Sequence, residues 1–271
     1  MTKTILCGIM TIIEYISEVF YYEAAVLKIV TKYFDRIFKV KRVTVSAVIL
    51  AAGSSVRFGG KKTSADVGGK SVLERTLSAF DSCKMIDEII LVLPESGFKE
   101  FYNEIKDTLP EKVKKTVRGG DTRQKSALNG LEACHPKSQY IAIHDAARCM
   151  ITPDMIETVC REAIENRAAA AAQRVVDTVK YSDEKGFIDH TIDRENVWLV
   201  STPQVFMMNM YRAAAYTARD AGFEATDDCM LAERLGFKVK LVDVGSDNIK
   251  ITYQDDIPRA LEILHRRGES I

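Results

Sequence analysis

A short apolar run, Val45-Ser46-Ala47-Val48-Ile49-Leu50, feeds directly into Ala51-Ala52-Gly53-Ser54-Ser55, and the cations Arg57, Lys61 and Lys62 follow. The run has the length and β-branched content of a buried strand. The small residues after it leave backbone N–H groups open to close approach by a ligand. Open amides followed by positive charge suit a polyphosphate. Two common phosphate loops are excluded by spacing, since neither G-x-x-x-x-G-K-[ST] nor G-x-G-x-x-G occurs here.

The rest of the chain repeats the same rhythm. Candidate strands are Val45–Leu50, Glu88–Leu93, Tyr140–His144, Ala169–Gln173 and Lys238–Val242, and helical patterns fall near Val72–Phe80, Thr122–Cys134, Pro153–Asn166, Asn209–Ala221 and Gln254–Arg266. Such alternation predicts an α/β fold with a mostly parallel sheet and helices on both faces. Ligands of such sheets sit at the carboxyl ends of the strands. The Ala51–Lys62 loop and His144-Asp145 both fall at strand ends of this kind. Residues 177–200 break the rhythm: Asp177–Tyr181 and His190–Arg194 flank Ser182-Asp183-Glu184-Lys185-Gly186, the pattern of a protruding β-hairpin arm that contacts another subunit. No repeat or low-complexity linker divides residues 44–271, which read as one domain.

Residues 1–43 form a separate extension. Between positions 9 and 39 apolar and charged residues recur at helical intervals, which predicts an amphipathic helix, broken once at most. Glutamates interrupt the apolar stretch too often for a membrane span, and no clear cleavage site marks a secretory signal. Three origins are open: a helix packed on the body or a partner, a translation start near Val43 or Val45, or a membrane-surface segment ending in the basic Lys39-Val40-Lys41-Arg42.

Acidic and basic residues balance at 38 each, which argues against a general nucleic-acid binder. The six cysteines contain no C-x-x-C pair and read as free thiols of a reducing cytoplasm. The four histidines have no metal-ligand spacing, so a zinc site is not expected.

Several polar segments add chemistry. Arg118-Gly119-Gly120-Asp121-Thr122-Arg123-Gln124-Lys125-Ser126 is a Gly-rich turn entering a helix, able to meet a base edge through its amides and Ser126 and a phosphate through Arg123. His144-Asp145-Ala146-Ala147-Arg148 places a carboxylate and a guanidinium just past a strand, and Asp145 suits a divalent cation that accompanies a triphosphate. Ser201-Thr202-Pro203-Gln204 and Gly245–Thr252 read as polar loops at element ends. Thr226-Asp227-Asp228 either belongs to the site or simply starts a helix toward Leu235.

Taken in order, Leu50-Ala51-Ala52-Gly53 with Arg57, Gly119-Gly120 with Arg123 and Ser126, His144-Asp145-Ala146-Ala147-Arg148, Asp177-Thr178-Val179-Lys180, Asp193-Arg194, Thr202-Pro203-Gln204, Thr226-Asp227-Asp228 and Asn248-Ile249-Lys250-Ile251-Thr252 resemble the 2-C-methyl-D-erythritol 4-phosphate cytidylyltransferases of the non-mevalonate isoprenoid pathway. The resemblance covers about Val45 to Leu264. It implies a Rossmann-like nucleotidyltransferase fold, a homodimer clasped through the hairpin arm, CTP and 2-C-methyl-D-erythritol 4-phosphate as substrates, and Mg2+ near Asp145. It further implies Arg57, Lys62 and Lys250 around the α-phosphate. Ala51, Ala52, Gly53, Gly120, Arg123, Ser126 and Asp145 would then contact the nucleotide. Asp145, Arg148, Thr178, Arg194 and Thr202 would contact the sugar phosphate, with Arg194 reaching across from a second subunit. Ribitol-5-phosphate cytidylyltransferase is the nearest rival, and the spacing from Asp193-Arg194 to Thr202-Pro203-Gln204 favours the methylerythritol enzyme. A sugar-nucleotide-binding regulator with a degenerate site is the other rival, opposed by the retained Arg57, Asp145 and Lys250.

Two positions depart from the family pattern. Where the family reads Pro-Lys-Gln, this chain has Lys61-Lys62-Thr63 in a slightly shorter loop. Matching backward from Val67-Gly68 puts the catalytic lysine at Lys62, with Lys61 as the alternative, and loss of the proline predicts a less restrained loop. Cys149 stands where the family prefers proline.

Overall fold

The structure is a computed structural model and describes residues 43–53 and 56–269. The amphipathic helix expected over residues 9–39 lies outside the described residues. Strands β1 (Val45–Leu50), β2 (Glu88–Leu93), β3 (Val113–Arg118) and β4 (Tyr140–Asp145) lie parallel in the order β3-β2-β1-β4. The chain then forms β5 (Ala168–Arg174), β6 (Val179–Ser182), β7 (Ile188–Ile192), β8 (Trp198–Met207) and β9 (Lys240–Asp243). Strand β8 runs antiparallel between β4 and β5, and β9 closes the edge parallel to β5, giving a seven-stranded, mostly parallel sheet. All residues of β1, β2 and β4 are buried, as continuous apolar strands between two helical layers must be.

The helices are α1 (Val72–Ser82), α2 (Phe98–Ile105), α3 (Arg123–Ala133), α4 (Pro153–Asn166), α5 (Met208–Asp220), α6 (Asp228–Arg234) and α7 (Asp256–Arg266). Their starts are written in the sequence. Ser71 and Glu74 form a reciprocal capping box at α1, Thr122 caps α3, Thr152 precedes Pro153 at α4, and the Asp227 side chain accepts the Met230 N–H at α6. One core joins Val48, Val92, Ile143 and Phe206 of the sheet to Leu131 of α3, Tyr211 of α5 and Leu231 of α6. Alternate strand residues face the other layer, where the Phe80 ring of α1 lies 4.9 Å from the His144 ring.

A second, smaller core matters more for function. It packs Phe58, Cys149 and Ile251 against Val67, Val72, Ile263 and Leu264. Arg57, Arg148 and Lys250 are the sequence neighbours of those first three residues, so burial of the apolar residue fixes the base of each cation. Cys149 therefore acts as core filler, and burial pushes its thiol up to about 12.

Three readings change. Ser201-Thr202-Pro203-Gln204 is not a loop but the middle of β8. Gln204 pairs with Ala170 while Val200 pairs with Ala172, so the strand bulges across Ser201–Pro203. A bulge is where a central strand tolerates a residue with no N–H. Strand β9 starts two residues later than the Lys238 start expected, and β3 and α2 had no counterpart in the sequence reading. The arm is present: β6 and β7 pair antiparallel, and the Asp183 carboxylate accepts the Lys185 and Phe187 N–H groups in the turn.

Candidate active site

Because β1 and β4 are parallel neighbours, their carboxyl-end loops emerge side by side. Backbone bonds hold them there: Ala51 N–H donates to Val92 O at 2.8 Å, Ala146 N–H to Leu50 O at 3.0 Å and Gly119 N–H to Leu93 O at 2.7 Å. The Gly119-Gly120 turn is pressed against this junction. A Cβ at Gly119 would lie 2.5 Å from Ala52 Cβ and 2.9 Å from Ser126 Oγ. Ser126 sets the turn, accepting the Gly120 N–H at 3.1 Å and donating to Thr122 O at 2.9 Å.

These loops enclose a cleft of 430 Å³. Its charged lining is Arg57, Lys62, Arg123, Lys250, Asp121 and Asp145, and Ala51, Ala52, Gly53, Gly120 and Ser126 line the cleft as well. Residues from five separate stretches of the chain thus meet in one concave site. Asp145 sits among the cations, with Arg123 Nε at 3.1 Å from one oxygen and Lys250 Nζ at 2.6 Å from the other. Burial opposes its ionisation, but Arg123 and Lys250 overcome that and hold the carboxyl well below the usual carboxylate range. Lys62 is half-buried, and burial together with the charge of Lys250 lowers its pKa against the opposing pull of Asp145.

The two lysines of the altered loop part company. Lys62 lines the cleft. Lys61 is 68 % exposed, bonds Glu104 of α2 at 2.9 Å, and lines a neighbouring cavity on the side of α2.

Beneath the cleft lies a relay that sequence reasoning missed. The Asp145 N–H donates to Thr202 Oγ1 at 3.0 Å, Thr202 Oγ1 lies 3.1 Å from His144 Nδ1, and His144 Nε2 lies 3.3 Å from Arg148 O. A carbonyl only accepts, so Nε2 carries the proton and Nδ1 accepts the Thr202 hydroxyl. His144 is fully buried, and burial lowers its pKa to about 3. A histidine closing an apolar strand was the available signal. Between pH 8 and pH 5 the His144 ring protons should therefore show no NMR titration, and a midpoint near the ordinary value of about 6.5 would contradict the relay. The unfolded chain gains a proton there that the native ring refuses, so His144 subtracts stability as pH falls from about 6.5 toward its folded value.

A second cavity of 270 Å³ shares Lys250 with the cleft and is lined also by Arg148, Ser201 and Asn248. Arg148 Nη1 donates to Asn248 O at 2.9 Å, and its buried Nε has no protein partner. Asn248 Nδ2 in turn donates to Thr202 O at 2.8 Å. The Thr202 hydroxyl is turned inward and engaged, beneath the cavity rather than in its lining. Thr178 and Arg194 stand on the arm and line neither cavity within one chain, and Arg194 donates to Val176 O. Thr226-Asp227-Asp228 does both things considered for it: Asp227 caps α6, and Asp228 binds Arg123 at 2.7 Å.

A parallel sheet whose strand ends present a small-residue loop, a Gly-Gly turn and a cluster of cations around one carboxylate defines a nucleotidyltransferase-like protein. A family model described as IspD, 2-C-methyl-D-erythritol 4-phosphate cytidylyltransferase, matches residues 45–266, and the chain belongs to this family. A relative of that description from Caldanaerobacter subterraneus subsp. tengcongensis is 41% identical over 216 residues, covering 79% of this chain and 95% of the relative. Another from Desulforamulus reducens is 38% identical over 82% of this chain and 96% of its own length. Among solved structures, 4-diphosphocytidyl-2C-methyl-D-erythritol synthase from Anaerococcus prevotii superposes with a TM-score of 0.74 at 34% identity, covering 83% of this chain and 99% of that one. The 2-C-methyl-D-erythritol 4-phosphate cytidylyltransferase of Thermus thermophilus gives a TM-score of 0.66 at 30% identity, covering 80% of this chain and 98% of that one.

Proposed function

We propose that this chain transfers the cytidylyl group of CTP to 2-C-methyl-D-erythritol 4-phosphate, releasing pyrophosphate, in isoprenoid precursor synthesis. The observation that carries the reading is the convergence of Arg57, Lys62, Lys250 and Asp145 on one cleft, in a chain of this family. An oxygen of the acceptor phosphate attacks the α-phosphorus. The new P–O bond forms as the bond to the β-phosphate oxygen breaks, and negative charge moves onto pyrophosphate. Such transfers need positioning and charge neutralisation rather than a covalent intermediate. Arg57, Lys62 and Lys250 supply that charge from fixed positions, which removes the cost of reorganising water around the transition state. Ala51, Ala52, Gly53, Gly120, Arg123 and Ser126 hold the nucleotide.

The second cavity takes the acceptor, with Arg148 supplying a guanidinium beside that of Arg259 and Thr202 supporting it from below. Thr178 and Arg194 complete the site from the arm of a second copy. Support for that homodimer lies in the exposed Val176, Tyr181, Phe187, Ile188, Leu199 and Val200 around the arm.

Asp145 suits magnesium on its donor chemistry. Asp145 would hold the ion, because a carboxylate oxygen is the ligand type that Mg2+ prefers. Bound there, the ion would neutralise phosphate charge. A cytoplasmic setting agrees with the buried free thiols of Cys83, Cys134, Cys149, Cys160 and Cys229. No helix among the described residues is long and apolar enough to cross a membrane.

The test is pyrophosphate release from CTP with Mg2+ and each of the two sugar phosphates. Turnover with 2-C-methyl-D-erythritol 4-phosphate is expected. Turnover confined to ribitol 5-phosphate, or with neither, would reject the assignment.

A further inference from the structure

Arg123 is the nucleotide-side cation with the most elaborate support. Its Nη1 donates to Asp228 at 2.7 Å and its Nε to Asp145 at 3.1 Å, while Nη2 is buried without a protein partner. Asp228 is itself fixed from three sides. The Tyr211 hydroxyl donates to its other oxygen at 2.6 Å, its own N–H donates to Gln204 Oε1 at 3.0 Å, and the next N–H, Cys229, donates to the same oxygen at 3.0 Å. Gln204 is held in turn by the Asp227 carboxylate at 2.9 Å. Asp228 and Tyr211 are each 1 % exposed, so neither reaches the cleft. Tyr211 is anchored in the core, its ring stacked on Phe206 at 5.2 Å.

Arg123 lines the polyphosphate-sized cleft, and a guanidinium there serves a ligand only if its direction is fixed. Its Nη1 and Nε bonds to the two carboxylates fix that direction. We infer that Asp228 and Tyr211 are positioning residues for nucleotide binding: they clamp Arg123 at the wall of the cleft that takes CTP. This rests on the nucleotidyltransferase reading of the cleft. Without the clamp Arg123 pairs with Asp145 alone, and its orientation is no longer fixed.

The test measures CTP affinity by calorimetry and kcat by pyrophosphate release, in the full chain. Asp228→Asn should weaken CTP binding about tenfold, the scale of one charge-assisted hydrogen bond, and leave kcat at saturating CTP within about twofold. Tyr211→Phe keeps the ring stack and should weaken binding by less, about threefold on the same scale. The decisive comparison is Arg123→Ala with and without Asp228→Asn. A residue that acts through Arg123 adds nothing once Arg123 is gone. Additive losses in the double variant, or unchanged CTP affinity in both Asp228→Asn and Tyr211→Phe, would overturn the inference. If Asp228→Asn fails to fold, Tyr211→Phe in the Arg123→Ala background decides by the same criterion. Failure of the unaltered chain to bind CTP at all would instead reject the underlying function.

Discussion

Replacing Lys62 by alanine is expected to lower kcat by roughly 10²–10³-fold, the effect of removing one preorganised charge from a transition state, while the Kd for CTP changes by less than about tenfold. Lys62 lies half-buried in the cleft beside Lys250, Asp145 and Arg57. Its charge is most needed when the α-phosphate and leaving pyrophosphate bear more charge than in the ground state. Lys61→Ala is expected to leave kcat within about twofold, because an exposed ion pair of the Lys61–Glu104 kind contributes little. Pre-steady-state rates and direct CTP titration on both variants separate the two. An unchanged rate in Lys62→Ala would reject the role, and a large loss in Lys61→Ala would move it. The pH profile adds a second sign. Burial and Lys250 lower the Lys62 pKa from its ordinary 10.5, so the rate should fall as pH rises through a midpoint below that value.

Hydrogen bonds hold the described part of the loop bearing Lys62. Ser64 N–H donates to Lys61 O and Ala65 N–H to Lys62 O, both at 3.1 Å, in a short 3-10 turn. Val72 N–H returns to Ala65 O at 3.0 Å, and Gln254 Nε2 reaches Phe58 O at 3.3 Å. Phe58 in the small core completes the fixation.

What could be read from residues alone divides along physical lines. Strands β1, β2 and β4 were legible because burial on both faces demands unbroken apolar runs. Strand β3 was not: Val113-Lys114-Lys115-Thr116-Val117-Arg118 is an edge, where charge protects the unpaired side and erases the apolar signal. Strand β8 was hidden by its own function, since the polar Ser201–Gln204 stretch that denies it a strand signature is what binds Asp145, Asn248 and the α6 start. The cations of the cleft were legible from motif order. The relay through His144 and the clamp through Tyr211 were not, because both join residues 58 and 17 positions apart, and spacing in the chain says nothing of such contacts.

Asp145→Asn should reduce kcat at least about 10²-fold at saturating substrates and Mg2+, through loss of the carboxylate that pairs with Arg123 and Lys250 in the cleft. A second consequence distinguishes this from simple loss of a ligand. In the free enzyme Asp145 raises the Lys62 pKa, against burial and Lys250, which lower it. Removing the carboxylate therefore lowers the Lys62 pKa further, and the basic limb of the residual activity should move to lower pH than in the unaltered enzyme. Stability changes with the opposite limb. A carboxyl depressed in the folded state contributes stability above its unfolded pKa of about 3.9, and that contribution is lost as pH falls through the lower folded value. The unaltered chain should thus lose stability in urea titrations below about pH 4 more steeply than Asp145→Asn, which starts lower at neutral pH and has no charge there to lose. An identical basic limb in both enzymes would show that Asp145 and Lys62 do not share a field. Parallel acid limbs would show that Arg123 and Lys250 do not hold the Asp145 charge in the folded protein.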